Sequence, residues 1–519
     1  MTTAAPAPGS TTAEGTAAST GTTRPGAAGP RTAARGASQS GEQTARGGGP
    51  DRRRVATSPM FVGMIALVSL GAFESLAVST AMPVIAASLD GLALYAPAFA
   101  LTIATSVMGM VLAGRSTDRG TVGASLLGGV GVFVLGLLLA GLAPSMGVLL
   151  VGRALQGLGS GAYIVALYMI VARQYSGAAR GKVLAAFSTA WVVPSLVGPL
   201  LAGIIVSHLG WRWVFLSVAI LAVPAVLMLV SAVRDSARTA TTAGDDPAAP
   251  PATGPASRRG ALWWAAAASA GVALMSLGTE NHSAPGYTMI AVGAVVVLTV
   301  APRLLPRGTL RAGRGLPTVI ALRGLVASSF YAAEVFLPLI LQQERGFSPA
   351  RSGIVLTAGA VTWALGSLMR SRLTWSSAAF LRLGTWLVVV AIAGVAMLVV
   401  PSVPAELTYV AWAAGGLGLG MVFPTLAILV FDLSPTHEQG SNTSSLQVAD
   451  ALSSAFLLAL AGIAIAWLVP SVGGVGYLGA FVLAGLVAVV AAVVAPRATA
   501  NAPAIADATT TTTKAGAAG

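Results

Sequence analysis

Fourteen long apolar runs decide what this chain can fold into. They fall at about 60–89, 95–114, 121–143, 147–173, 182–207, 213–233, 261–279, 286–302, 316–342, 350–369, 380–400, 407–431, 443–469 and 474–496. A helix needs roughly 20 apolar residues to cross the hydrocarbon of a bilayer. The expected fold class is therefore an all-α polytopic membrane protein with about 14 transmembrane helices. Composition agrees. Only 9% of the 519 residues are charged, against about 25% in a soluble domain, so the chain cannot cover a soluble surface. Aromatics make up 6% while glycine numbers 62; small residues must fill the helix contacts, as they do where helices pack closely in lipid.

The runs group as six, two and six. That spacing predicts a cytoplasmic tail at 1–57, a six-helix half at 58–233, a linker at 234–260, an inserted helix pair and loop at 261–315, a second half at 316–497 and a second tail at 498–519. Both tails are poor in large apolar residues and are expected to be disordered. Repeated halves are a common way to build a transporter cavity. Direct similarity between the halves is weak: Gly366 to Arg370 echoes Gly114 to Asp118 and little else does.

A net charge of +13 raises the question of nucleic acid, but the basic residues lie in short loops between apolar runs, where they orient a membrane protein. With the N-terminus in the cytoplasm, the inner loops hold 16 arginines and lysines from Arg115 to Arg382, and the outer loops hold three, Arg212, Arg345 and Arg351. The bias predicts an even number of spans with both termini inside. There is no cysteine, and His208, His282 and His437 fall in predicted loops, so no metal site, redox centre or cofactor is expected. A membrane enzyme would need a nucleophile–base pair or metal ligands at membrane depth, and no such set is visible. No phosphate-binding loop is present either, which argues against direct driving by ATP.

Ionisable groups inside the spans carry the functional information, because each costs several kcal/mol at membrane depth. Glu74, Arg153, Arg323, Glu334 and Asp450 qualify. Glu74 sits mid-helix in the first run and can exchange a proton. Arg153 cannot shed its charge and needs a partner or water; Gln156 follows it, and Gly157 and Gly161 share one face of the same helix. Glu334 and Asp450 are candidates for substrate or proton binding, Asp450 within a serine-rich stretch. Arg323 lies near its helix end, where it can snorkel. Pro194, Gly198 and Pro199 are expected to interrupt the fifth helix, a bend suited to a gate. Gly114, Asp118 and Arg119 sit in the loop after the second helix, placed to pair across a cytoplasmic gate.

These segments together resemble the major facilitator superfamily, and within it the fourteen-helix drug:proton antiporters. Gly114, Asp118 and Arg119 match the signature G-x-L-a-D-R-x-G-R-K, while Ser116, Thr117, Thr121 and Val122 depart from it. Arg153, Gln156 and Gly157 match l-x-x-x-R-x-x-q-G-x-g. Gly198, Pro199 and Gly203 match the antiporter signature of the fifth helix, with Pro194 at a position usually held by glycine. Glu74, Ala81 and Pro83 fit l-D-x-t-i-v-n-v-A-l-P, with glutamate in place of aspartate. The resemblance covers roughly residues 58–497. It implies a major-facilitator fold and proton-coupled efflux of small amphipathic organic compounds such as drugs or antibiotics, with Glu74 and Arg153 in proton coupling. The alternative is a transporter of the same fold with a narrow substrate, taking up a metabolite or exporting a lipid or natural product. Its implied partners are a small molecule, protons and the bilayer of the cell membrane; the chain is expected to work as a monomer.

Overall fold

The computed structural model describes residues 59–118, 122–175, 177–240, 260–279, 283–435 and 438–500. Among them are fourteen α-helices: α1 (Pro59–Ser88), α2 (Tyr95–Asp118), α3 (Val122–Gly141), α4 (Met146–Gln174), α5 (Gly177–His208), α6 (Arg212–Ala240), α7 (Ala261–Gly278), α8 (Ala284–Leu304), α9 (Leu316–Gln343), α10 (Pro349–Arg372), α11 (Ser377–Ala396), α12 (Leu407–Leu433), α13 (Gln439–Val472) and α14 (Tyr477–Val494). Twelve stretches are long and apolar enough to cross a membrane; the last takes in both α13 and α14, and α7 falls just short of that length. Fourteen helices are compatible with the number expected. Helix α6 runs beyond residue 233 to Ala240, and His208 closes α5 rather than lying in a loop. His282 and His437, the tail at 1–57 and most of the tail at 498–519 lie outside the described residues.

Loop contacts sort the helix ends onto two faces. Arg212 at the start of α6 donates to the Ala143 carbonyl after α3, and Arg345 after α9 donates to the carbonyls of Leu398 and Pro401 after α11. These lie on the far face, where α1 ends. Arg303 at the end of α8 stacks over Trp264 at the start of α7, and the Gly315 amide before α9 donates to the Arg497 carbonyl after α14. These lie on the near face, where α1 begins.

The helix contacts reveal a repeat that the residues hide. In the first six helices α1 packs on α5 and α6, α4 on α2 and α3, and α3 on α6. In the last six α9 packs on α13 and α14, α12 on α10 and α11, and α11 on α14. Eight positions along, past the inserted pair, every one of these pairs recurs. The seams between the halves obey the same symmetry, α2 against α13 and α5 against α10. The inserted pair α7–α8 rests mainly on α2 and also touches α13, with the Ser269 hydroxyl donating to the Ala104 carbonyl at 2.8 Å.

Small residues set these approaches. A Cβ on Gly157 or Gly161 of α4 would lie 2.0 Å from the Thr102 or Ser106 carbonyl of α2, and one on Gly416 or Gly420 of α12 would lie 1.9 Å and 2.1 Å from the Gly359 and Trp363 carbonyls of α10. The same four-residue spacing thus mates the same pair of helices in each half. Between the halves, Gly203 of α5 meets Ala350, and Gly353 of α10 meets the Pro199 carbonyl, both toward the far face.

Two side-chain hydrogen bonds also tie the halves together toward that face. The Tyr95 hydroxyl donates to the Val335 carbonyl at 2.7 Å, and the Gln342 amide donates to the Thr80 carbonyl at 3.1 Å. Replacing Tyr95 with phenylalanine should shift the balance of conformations toward an open far face by about 0.6 kcal/mol, the usual worth of an interhelical bond in a membrane. The chain has no cysteine, so a single cysteine placed on the far side, labelled by an impermeant reagent, reads the change as faster modification.

Candidate functional site

Helices α1, α2 and α4 converge on one buried guanidinium. Arg153 enters from α4 and ion-pairs through Nη1 with Glu74 Oε1 of α1, both side chains being almost wholly buried. The same Nη1 donates to Gln156 Oε1 at 2.5 Å, and Nε donates to the Ala98 carbonyl of α2 at 3.2 Å. Phe99 lies beneath the guanidinium, its ring centre 5.9 Å from Cζ. The local sequence explains why this charge can be held here. Gly157, one turn along, lets α4 sit against the α2 backbone, which brings the Ala98 carbonyl within reach. The pairing of Arg153 with Glu74 is a contact between residues 79 apart, and nothing in the local spacing announces it.

The site is not strained for partners except at one atom. Gln156 turns its Oε1 to Arg153, and its Nε2 is buried with no hydrogen-bond partner. Tyr163, one face along α4, lies close enough to Glu74 to interact electrostatically, and it stacks edge-on with Phe133 of α3. The arrangement is a carboxylate–guanidinium pair with a spare amide donor beside it, walled by aromatic rings.

The second half puts no charge at the matching place. Trp412 stands four residues before Gly416 on α12, as Arg153 stands four before Gly157 on α4. Trp412 is buried and stacks on Phe330 of α9 with ring centres 4.4 Å apart. An aromatic pair therefore replaces the ion pair across the pseudo-symmetry axis.

A separate charged group lies elsewhere in the second half. Arg323 of α9 does not snorkel as expected from its place near the helix end. It turns onto Asp450 of α13 instead, at 2.7 Å from Nη2 and 2.8 Å from Nε, because a carboxylate at hydrogen-bond distance outweighs a longer reach to water. Phe423 lies 3.5 Å beneath its Cζ. Asp450 thus finds its partner on α9, whereas its neighbours Ser444 and Gln447 face outward. Glu334, on the same face of α9 as Arg323 three turns on, makes no ion pair or side-chain hydrogen bond among the described residues. Tyr331 is within electrostatic reach of Glu334, Asp450 and Arg323 alike.

The expected gating residues divide. Pro194, Gly198 and Pro199 do not interrupt α5, which runs unbroken from Gly177 to His208; within membranes, neighbouring helices and local adjustment accommodate proline. All three are buried. Gly198 faces Phe73 of α1, with a Cβ position 3.4 Å from its ring, and the Pro199 carbonyl meets Gly353 of α10. Gly114 lies within α2, and Asp118 is the last residue of that helix. Arg119 lies outside the described residues. Sequence reasoning missed Tyr95 and Gln342, whose polar tips lie in apolar helices and cross to the other half.

Comparison with known proteins comes to the same fold from a different direction. The sequence profile of the Major Facilitator Superfamily matches residues 60–458. The multidrug transporter protein MdtP of Bacillus subtilis is 22% identical over 421 residues, covering 78% of this chain and 74% of that one. A probable multidrug-efflux transporter of Mycobacterium tuberculosis is 25% identical, covering 80% and 88%. Among solved structures, a peptide transporter POT in complex with sulfate aligns with a TM-score of 0.60 at 14% identity, over 87% of this chain and 99% of that one. A D-xylose-proton symporter aligns at 0.57 and 14% identity, over 85% and 97%.

Proposed function

Since the chain belongs to the major facilitator superfamily, we propose that it is a proton-coupled antiporter that exports small amphipathic organic compounds, drugs or antibiotics among them, across the cell membrane. The single observation that carries this reading is the Glu74–Arg153 pair buried between α1 and α4. A carboxylate is the one partner there that can take up and release a proton, while the arginine keeps its charge. The efflux names of the relatives support export as the direction. Glu334, with no ion pair or side-chain hydrogen bond among the described residues, and the Arg323–Asp450 pair are the further candidates for cargo or proton.

Protonation of Glu74 removes the anion that Arg153 holds, leaving it Gln156 and the Ala98 carbonyl. That loosens α1 from α4. The preceding residue, Phe73, bears on Gly198 of α5, and the carbonyl of Pro199, next to Gly198, bears on Gly353 of α10. Proton binding in one half thus reaches the α5–α10 seam through contacts one residue thick. Orientation follows from charge. The near face carries Arg115, Arg303, Arg307, Arg311, Arg314, Arg370, Arg372, Arg382 and Arg497, and the far face carries Arg212, Arg345 and Arg351. The near face is then cytoplasmic, with both termini on that side, and the protein works as a monomer.

The test is a panel of dyes and antibiotics in an efflux-deficient bacterium. Wild type should lower the accumulation of at least one compound, an uncoupler should abolish this, and Glu74→Gln at matched expression should accumulate like an empty-vector control. Export by Glu74→Gln equal to wild type would move the coupling role to Glu334 or Asp450.

A further inference from the structure

The loop between α8 and α9 is ordered, basic and without acidic company. It holds Arg303, Arg307, Arg311 and Arg314, and no aspartate or glutamate occurs between residues 284 and 333. All four arginines are exposed. Arg303 is occupied, stacked 4.7 Å over Trp264 and donating to the Thr299 carbonyl. Arg307, Arg311 and Arg314 make no ion pair and no side-chain hydrogen bond among the described residues.

The backbone beneath them is fixed. A 3-10 turn, Thr309–Arg311, is bracketed by left-handed Gly308 and Ala312. The Thr318 hydroxyl donates to the carbonyls of Ala312 and Gly313, and the Gly315 amide donates to the Arg497 carbonyl, which draws a fifth arginine alongside. Positive loop charge alone orients a membrane protein without any such order. Here the guanidinium groups are displayed on a braced turn, and apolar groups stand beside them. Leu310, between two of the arginines, is 61% exposed, and Trp263 at the start of α7 is 76% exposed. Tryptophan favours the headgroup level of a bilayer, and guanidinium groups take phosphate oxygens two at a time.

We propose that this turn is a docking site for anionic phospholipid headgroups of the adjacent leaflet. Arg307, Arg311 and Arg314 hold the phosphates, Leu310 dips into the acyl region, and Trp263 and Trp264 flank it. The site is separate from the charged groups of the transport path and does not depend on which compound is carried. Its ligand is a lipid rather than a water-borne anion because the apolar side chains at the same level would gain nothing from free phosphate.

The full chain, purified in neutral detergent, is titrated with phosphatidylglycerol, phosphatidylethanolamine or inorganic phosphate, and bound molecules are counted by native mass spectrometry. Phosphatidylglycerol should be retained preferentially, and millimolar phosphate should not displace it. Arg307→Gln with Arg311→Gln should weaken its retention by about fivefold per arginine removed. Arg372→Gln with Arg382→Gln removes the same charge from exposed positions of the same face and should leave retention unchanged. Equal retention of the two lipids, displacement by phosphate, an unaltered Arg307/Arg311 variant, or equal losses in the two double variants would each overturn the proposal. Both pairs lie on the surface, so a common melting temperature checks that the fold is intact.

Discussion

Arg153→Met lowers the stability of the folded protein by about 3–5 kcal/mol, the cost of stranding one member of a buried ion pair, and it ends transport. Glu74 is then left in a buried site with its guanidinium partner gone. Methionine fills the space of the arginine stem but offers no proton, so Gln156 Oε1 and the Ala98 carbonyl lose their donor as well. Adding Glu74→Gln to the same chain removes the stranded charge. Replacing a buried pair as a unit is often neutral in stability, so the double variant should melt close to wild type while remaining inactive. Detergent-solubilised thermal unfolding separates the cases: a low single variant, a recovered double variant and no export by either. A single Arg153→Met variant that melts with wild type would mean that the pair does not hold α1 to α4. A double variant that exports would mean that this pair has no part in coupling.

Length and hydropathy make the all-α membrane class legible, and the motifs in four helices add the major-facilitator fold. A span is a local property of about twenty residues, and each of the fourteen runs carries its own evidence. Glu74, Arg153 and Asp450 stood out for the same reason, since a charge in an apolar run is visible without knowing its surroundings. Their partners were not visible. Glu74 meets Arg153, and Arg323 meets Asp450, across 79 and 127 residues, and those distances are set by how helices pack rather than by spacing. Arg323 differs from its expected role on that account: position near a helix end fits snorkelling, and only the approach of α13 supplies the carboxylate. The repeat was hidden for a related reason. Symmetry is kept in the glycines that let backbones touch, while the side chain at the matching place changed from Arg153 to Trp412. A search for similar residues sees the change and overlooks the shared contacts. The fifth helix shows the reverse error: proline chemistry predicts an interruption, yet α5 runs unbroken through Pro194 and Pro199.

Gly161→Val is expected to cost about 3 kcal/mol, at the top of the usual range for overpacking, and to prevent accumulation of folded protein. Overpacking is milder where the obstructing atom belongs to a flexible side chain that can rotate aside. At Gly161 the obstruction is the Ser106 carbonyl, 2.0 Å from the site of the new Cβ, with the Met110 amide nitrogen 3.0 Å away. Both belong to the α2 backbone, so the whole helix must move. That movement would draw α2 off α4 along the face that positions the Ala98 carbonyl for Arg153. Gly420→Val meets the Trp363 carbonyl at 2.1 Å on α10, and the repeat requires it to fail in the same way. Gly131→Ala on α3 is the control, since it is exposed and has nothing within 4 Å of the new methyl. There alanine should be neutral or stabilising by up to about 1 kcal/mol through helix propensity. Fluorescence-detected size exclusion of tagged variants reads all three. Equal losses at Gly161 and Gly420 with none at Gly131 would tie assembly to backbone contact, whereas a tolerated Gly420→Val would show that the second half closes on side chains and that the glycine symmetry is incidental.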